Sequence, residues 1–303
     1  MLHLASLRYL SLALALTACG RSTEPGPPPA RTAVVATTYP LQQFAKRILG
    51  PEVEVVLPLA PGVDPLHWEP TRTDLRLVSN AALVAANGAG VEGWLEGLAL
   101  RDGQLVRTAE VFEDEWLESP GRTHSHGGGE HSHSGSMGHT WLDPLLAIQQ
   151  AEALGAALAR AYPQRRPSIQ DALEALIEQL RGVDQRWQAL IQRLGGLTLL
   201  SAGPEYAYLA RRYEFIVRNL EFDASVPLTP EVRARLDAVE QRPAVLLWPA
   251  PPHPDCAAEL EELGIATVVL PTLANPSVDV LTPGENYFER LDRALDDFAA
   301  ALP

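Results

Sequence analysis

Five of the eight histidines in the chain fall in one stretch, residues 122–144 (RTHSHGGGEHSHSGSMGHTWLDP). Neutral imidazole is the commonest protein ligand for borderline divalent metals, and histidines separated by one residue can converge on a single ion. A solvated polar linker is the alternative interpretation, but this density of histidine favours metal binding. The four histidines within the Gly- and Ser-rich part of the stretch are His124, His126, His131 and His133.

This stretch divides into two parts of different composition. The part rich in Gly and Ser cannot bury apolar area, so it is expected to be mobile and unpacked. The second part begins at His139 and contains Trp141 and Leu142, which are typical core residues, followed by Asp143-Pro144, a typical helix start. The sequence therefore predicts a histidine-rich loop, residues 122–139, that ends in one histidine fixed at the edge of a folded lobe.

Residues 1–19 have the features of a secretory signal peptide. Arg8 precedes a short apolar run, and the segment is too short to span a bilayer. The run Leu16-Thr-Ala-Cys19 resembles the lipobox of bacterial lipoproteins, in which this cysteine is lipid-modified. Residues 20–30 are rich in Pro and Gly and would form an extended tether. We therefore expect an extracytoplasmic protein held at the bacterial cell membrane by a lipid on Cys19.

Net charge indicates which kinds of molecule the protein can bind, and the cysteine count decides whether it can form a disulfide. The formal net charge is −14, from 24 basic and 38 acidic residues. With no basic cluster, this balance argues against nucleic acid and against anionic lipid, and it would attract cations weakly. Once Cys19 is assigned to lipidation, Cys256 alone remains, so no intramolecular disulfide can form in the mature chain. Nothing in the sequence requires self-association, and we expect a monomer.

Short apolar strands alternate with helices from residue 31 onward, which indicates βαβ units on parallel sheets. We expect an N-terminal α/β lobe over residues 31–144, in which one helix spans 91–98. A helical connector, 145–194, contains a long spine helix, and residues 195–303 form a C-terminal α/β lobe. The predicted fold is thus α/β, with two lobes joined by one long helix and a ligand cleft between them.

The apolar spacing of three and four places one buried face along the spine helix, predicted over residues 168–194. Sustained heptads and charged flanks are missing from this segment, so a rigid spine is favoured over a coiled coil.

Several segments in order along the chain resemble one protein family. They are Thr37-Thr-Tyr-Pro-Leu41, Pro61-Gly-Val-Asp-Pro65, Trp68-Glu-Pro-Thr71, Asn87-Gly-Ala-Gly, His139-Thr-Trp-Leu-Asp-Pro144, Tyr206-Ala-Tyr-Leu-Ala-Arg-Arg-Tyr213 and Leu260-Glu-Glu-Leu-Gly-Ile265. Together they resemble the metal-specific solute-binding lipoproteins of ABC importers, a zinc- and manganese-binding family whose two lobes are joined by a rigid helix. Zinc-importing members are also similar in carrying a histidine-rich loop just before the HxWLDP segment.

The resemblance implies a metal in the cleft, held by four positions of which this chain retains His139 alone. At the other three positions the chain has Leu66, Gly203 and Leu270. Neighbouring side chains could substitute for two of them: His67 stands next to Leu66, and Glu205 stands two places after Gly203. Asp143 is expected to cap a helix, and His253 is expected to lie on an exposed loop.

The resemblance and the histidines together predict a lipid-anchored protein that binds zinc and delivers it to the permease of an ABC importer, and not an enzyme. Imidazole-rich ligation favours Zn²⁺ over Mn²⁺, because manganese prefers oxygen ligands. One alternative stays open: a diverged scaffold without a cleft metal site, acting as a surface interaction protein or as a histidine-tract metal buffer. A zinc hydrolase is the least supported interpretation, since the sequence has no HExxH, nucleophile elbow or Gly-rich phosphate loop.

Overall fold

The computed structural model describes residues 33–118, 122–125, 130–133, 137–195, 197–223, 226–239 and 244–302. Two four-stranded parallel sheets form its framework, as the alternating pattern predicts, and the α/β fold class is confirmed. The strands are β1 Val34–Ala36, β2 Val55–Val56, β3 Leu83–Ala86, β4 Leu105–Arg107, β5 Arg122–Ser125, β6 Glu130–His133, β7 Thr198–Ser201, β8 Val217–Asn219, β9 Ala244–Trp248 and β10 Ile265–Val269. The first sheet has the order β2-β1-β3-β4 and the second β10-β9-β7-β8.

Helices cover the faces of both sheets. They are α1 Tyr39–Leu49, α2 Arg72–Asn80, α3 Pro144–Ala161, α4 Arg166–Ile191, α5 Ala207–Tyr213, α6 Pro230–Asp237, α7 Pro254–Glu262 and α8 Tyr287–Ala301. The central strands β1, β3 and β9 are buried along their whole length, which explains why they read as continuous apolar runs. Because all strands within each sheet are parallel, the loops at their carboxyl ends gather along one edge, where ligands usually bind.

The long helix predicted over residues 168–194 is α4, which begins two residues earlier and ends at Ile191. It buries apolar residues at spacings of three and four, including Leu176, Leu180, Val183 and Trp187. Helix α3 packs against it closely, since a Cβ added to Gly155 would lie 2.7 Å from a methyl carbon of Leu173. Gly195 stops the segment with a φ of +52°, a conformation that favours glycine.

Two expectations from the sequence need correction. The histidine-rich loop contains an antiparallel pair, β5–β6, in which His124 stands opposite His131. Backbone hydrogen bonds between strands close together in sequence need no apolar side chains, so composition alone did not reveal this ribbon. The helix expected over residues 91–98 is instead a single 3₁₀ turn, Gly93–Leu95.

No helix within the described residues is both long and apolar enough to cross a membrane.

Candidate metal centre

A cleft of about 350 Å³ opens where loops from the two sheets meet. The N-terminal side contributes residues 62–65 and His139. The other side contributes Glu205, residues 249–250 and residues 271–277. These loops follow strands of both sheets, so the cleft lies at the carboxyl edge where the sequence analysis expected a ligand site.

His139 lies on the wall of this cleft and is partly buried there. Its ring packs edge-on against Trp141, with 5.3 Å between the ring centroids. Burial lowers the pKa of His139 from its usual 6.5 to about 4, and the nearby negative charge of Asp64 offsets only part of this effect. The imidazole is therefore neutral at physiological pH, which is the form that binds a metal.

Asp64 is the cleft residue of the first loop. Its Oδ1 accepts a hydrogen bond from the backbone N–H of Leu66 at 3.0 Å, and its Oδ2 lies 2.7 Å from Nδ1 of His67. The predicted ligand His67 has a side chain that is 78% exposed and does not line the cleft. Leu66, at the first ligand position that the resemblance implies, is also exposed. The loop thus turns Asp64, and not residue 66 or 67, toward the cavity.

Glu205 reaches the cleft because position 203 is a glycine. A Cβ added to Gly203 would collide with both carboxylate oxygens of Glu205. The Glu205 carboxylate therefore occupies the space that a side chain at position 203 would need. The structure thus brings Glu205 and His139 to the walls of the same cleft.

Leu270, at the fourth ligand position that the resemblance implies, is a core residue with 2% of its surface exposed. Its backbone N–H donates to the carbonyl of Trp248 at 2.8 Å, and its own carbonyl accepts from the hydroxyl of Tyr206 at 2.6 Å. These contacts fix the strand end and turn the leucine inward. No metal donor comes from this position.

Hydrogen bonds across the cleft hold its two sides together. Nε1 of Trp141 donates to the carbonyl of Thr272 at 2.7 Å. At the other end of the loop, Nδ2 of Asn275 lies 2.7 Å from the carbonyl oxygen of Ala60 and 2.9 Å from that of Val63. The loop over residues 271–277 is therefore tied to the opposite lobe on both sides of the cavity.

The remaining predicted residues lie elsewhere. Asp143 caps α3, accepting at Oδ1 from the backbone N–H groups of Leu145 and Leu146, as expected. His253 caps α7 and lies outside the cleft lining. The side chains of His124, His131 and His133 lie outside the described part of the structure, as do residues His126 and Cys19.

In the part of the chain that the structure describes, no three His, Cys, Asp or Glu side chains are gathered closely enough to hold a metal ion. His139, Asp64 and Glu205 share one cavity without converging on a point. Sequence reasoning missed Asp64, although it lies within the Pro61–Pro65 motif. The available signal was its place in the sequence, two residues before Leu66 and three before His67.

The chain is similar in sequence to one protein family and to several curated proteins. Residues 34–301 match the model of the zinc-uptake complex component A family, periplasmic, known as ZnuA. The high-affinity zinc uptake system protein ZnuA of Bacillus subtilis is 25% identical over 301 residues, covering 95% of this chain and 94% of the relative. The zinc-binding lipoprotein AdcA of Streptococcus pneumoniae is 24% identical, covering 96% of this chain. The chain spans 59% of the length of AdcA.

Solved structures give the same fold. The metal-dependent lipoprotein YcdH of B. subtilis superposes with a TM-score of 0.75 at 22% identity, covering 90% of this chain and 99% of that one. The Zn(II)-bound ZnuA-like domain of S. pneumoniae AdcA superposes with a TM-score of 0.74 at 19% identity, with the same coverage. The family match spans most of the chain, and the two-lobed fold agrees with it. The chain belongs to the zinc-uptake component A family of solute-binding proteins.

Proposed function

We propose that this protein captures Zn²⁺ in the cleft and delivers it to the permease of an ABC importer. The observation that carries the proposal is His139, a partly buried imidazole on the wall of a cavity that it shares with Asp64 and Glu205. A neutral imidazole with carboxylates from two sides is a donor set that zinc accepts. Family membership supports transport as the purpose of the site. The proposed role is binding and release, without catalysis.

The proposed ligands are His139, Glu205 and Asp64, drawn together by side-chain rotation when the ion enters. In this arrangement His67 supports Asp64, because its Nδ1 already contacts the carboxylate at 2.7 Å. Direct binding of the metal by His67 stays a prediction, and it would require the exposed ring to turn inward. Glu205 stands in for the missing side chain at Gly203, whose space its carboxylate fills.

This donor set contains less imidazole than the sequence suggested. With one nitrogen and two carboxylates, the cleft should discriminate less strongly between Zn²⁺ and Mn²⁺ than an imidazole-rich site would, although zinc keeps the advantage given by the general affinity order of divalent metals. A competition titration with manganese measures this directly. A preference for manganese over zinc would contradict the proposed cargo.

Anchoring and partners complete the proposal. A lipid on Cys19 and a tether over residues 20–30 would keep the protein beside a membrane permease, as its lipoprotein relatives suggest. The histidine-rich ribbon would collect ions at low affinity near the cleft, since its strand β6 ends six residues before His139. We expect one copy of the chain to suffice for binding.

Calorimetric zinc titration of wild type and of a His139→Ala variant tests the proposal. Wild type should show one tight site, and the variant should lose it. His253→Ala is the matched control, because this histidine lies outside the cleft lining. Unchanged tight binding in His139→Ala would contradict the cleft site. That result would instead favour the diverged scaffold with a histidine buffer, for which buried Leu270 and exposed Leu66 are the supporting observations.

A further inference from the structure

Asn87 immediately follows strand β3 and has no exposed surface. Its side-chain Nδ2 donates to the carbonyl of Gly138 at 3.1 Å. Its Oδ1 accepts from the hydroxyl of Thr140 at 3.1 Å. The buried side-chain amide of Asn87 is therefore hydrogen-bonded to the residues on both sides of His139, more than fifty residues away in the sequence.

Further buried groups hold Asn87 in its orientation. Nε2 of Gln150, on α3, donates to Asn87 Oδ1 at 2.8 Å and to the hydroxyl oxygen of Thr108 at 2.9 Å. The Thr108 hydroxyl in turn donates to the carbonyl of Ala86 at 3.2 Å. Because Gln150 donates to Oδ1, this atom must be the amide oxygen, and Nδ2 must face Gly138.

The backbone of Asn87 is fixed as well. The carboxylate of Glu92 accepts from the backbone N–H of Asn87 at 2.8 Å and from that of Gly88 at 2.9 Å. The carbonyl of Asn87 accepts from the N–H of Ala109 at 2.8 Å. Backbone and side chain are thus both constrained, so Asn87 cannot follow a displacement of its partners without breaking buried hydrogen bonds.

Packing also fixes the path of the segment that carries His139. A Cβ added to Gly138 would collide with a methyl carbon of Val91, so the chain passes Val91 without a side chain at that point. The segment before it pairs with Leu117, whose carbonyl accepts from the N–H of Met137 at 2.8 Å. The contacts of Met137 and Gly138 therefore fix the course of the chain between the histidine-rich ribbon and His139.

We infer that Asn87 is the positioning residue that sets His139 for metal binding, through its paired hydrogen bonds to Gly138 and Thr140. The inference rests on the proposed function, since it assumes that His139 binds the ion. Partners that orient a metal ligand without touching the metal commonly change affinity by about 10- to 100-fold when removed. Asn87 acts in this way, because without it the carbonyl of Gly138 loses its side-chain donor and the Thr140 hydroxyl keeps only Oε1 of Gln150, 3.2 Å away.

Gln104 provides a matched control. It is also a buried amide of the same lobe, with 2% of its surface exposed, and its Nε2 lies 3.1 Å from the carbonyl oxygens of Val78 and Ala81. It precedes β4, so it lies at the opposite edge of the sheet from Asn87. Asn87→Ala and Gln104→Ala should both lower the melting temperature, but only the first should disturb His139.

The experiment compares full-length wild type, Asn87→Ala and Gln104→Ala by zinc titration and by amide hydrogen exchange of the metal-free proteins. We expect Asn87→Ala to weaken tight zinc binding by about tenfold or more and to speed exchange in residues 137–141. Gln104→Ala should change affinity by less than about twofold and leave that exchange as in wild type. A second pair, Thr140→Val and Thr140→Ser, should reproduce the loss and its rescue, because only serine keeps the hydroxyl.

The inference is overturned if Asn87→Ala exchanges in residues 137–141 as wild type does, or if both alanine variants weaken zinc binding equally. Failure of the proposed function gives a different result, in which wild type itself lacks a tight site. The exchange measurement on metal-free protein still decides whether Asn87 holds the segment in that case.

Discussion

The cleft and the histidine-rich ribbon hold imidazoles in opposite ways. The cleft has one histidine, His139, which is partly buried and has a lowered pKa, and hydrogen bonds fix the chain on both sides of it. The ribbon carries several histidines on two short strands that pair only with each other in the described sheets. Positioned donors give affinity and selectivity, whereas a high density of donors gives capacity. The count of histidines in the ribbon thus indicates metal handling, whereas the proposed selective site is the cleft around His139.

The largest effect should come from removing the cleft carboxylates. The double variant Asp64→Asn/Glu205→Gln keeps the shape of both side chains but removes their charges, so zinc affinity should fall by more than about a hundredfold, beyond the cost of losing an orienting partner. The matched change in the ribbon, His124→Asn/His131→Asn, should leave the tight site intact. Isothermal titration of both variants makes the comparison. Equal loss in the two variants would erase the distinction between the regions.

A smaller effect is expected from crowding Glu205. Gly203→Ala places a methyl group where the carboxylate of Glu205 now lies, and this flexible side chain should move aside. Zinc affinity should fall by about tenfold, by analogy with the loss of an orienting partner, with little change in stability. Gly182→Ala in α4 is the control, because a Cβ there meets nothing within 4 Å, and alanine should stabilise the helix by up to about 1 kcal/mol. Unchanged zinc binding in Gly203→Ala would remove Glu205 from the ligand set.

The next largest effect should be a difference in the pH dependence of zinc binding between the cleft and the ribbon. The pKa of His139 is lowered to about 4, so protons do not compete for its imidazole until the pH approaches that value. An imidazole in water takes up a proton near pH 6.5 and then no longer binds metal. Titrations at pH 7.5, 6.5 and 5.5 should therefore lose the weak sites first, while the tight site persists at pH 5.5. Parallel loss of both classes would show that His139 is not the ligand of the tight site.

The smallest effect on binding should come from Asp143, four residues after His139. Asp143→Ala removes the cap of α3 and should lower the free energy of unfolding by about 1 kcal/mol, whereas Asp143→Asn keeps a capping oxygen. Zinc affinity should stay within about twofold of wild type in both variants. Chemical denaturation and titration check the two parts. A large loss of zinc affinity in Asp143→Ala would add this carboxylate to the groups that position His139.

Local features of the fold could be predicted from the sequence. Thr71 caps α2 through a capping box: Thr71 Oγ1 accepts from the backbone N–H of Asp74, and the Asp74 carboxylate accepts from that of Thr71. The spine helix predicted over residues 168–194 is present as α4, Arg166–Ile191. These signals depend on residues three or four apart, which the sequence shows directly.

The hydrogen bonds from Asn87 to the segment around His139 could not be predicted in this way. Asn87 begins an Asn-Gly-Ala-Gly run that looks like an ordinary turn, and its partners Gly138 and Thr140 lie 51 and 53 residues away. Glu205 was a candidate from its place near Gly203, but only the structure shows that its carboxylate fills the space beside that glycine. Contacts between distant segments carry the arrangement of the site, and periodicity gives no access to them.

The most direct test replaces residues 119–136 with a short Gly-Ser linker and titrates the protein with zinc. This design keeps the hydrogen bond between the N–H of Met137 and the carbonyl of Leu117, so the entry to the His139 segment is preserved. We predict one tight zinc site with wild-type affinity and the loss of the weaker sites. Loss of all zinc binding in this variant would contradict the claim that the cleft around His139 holds the ion.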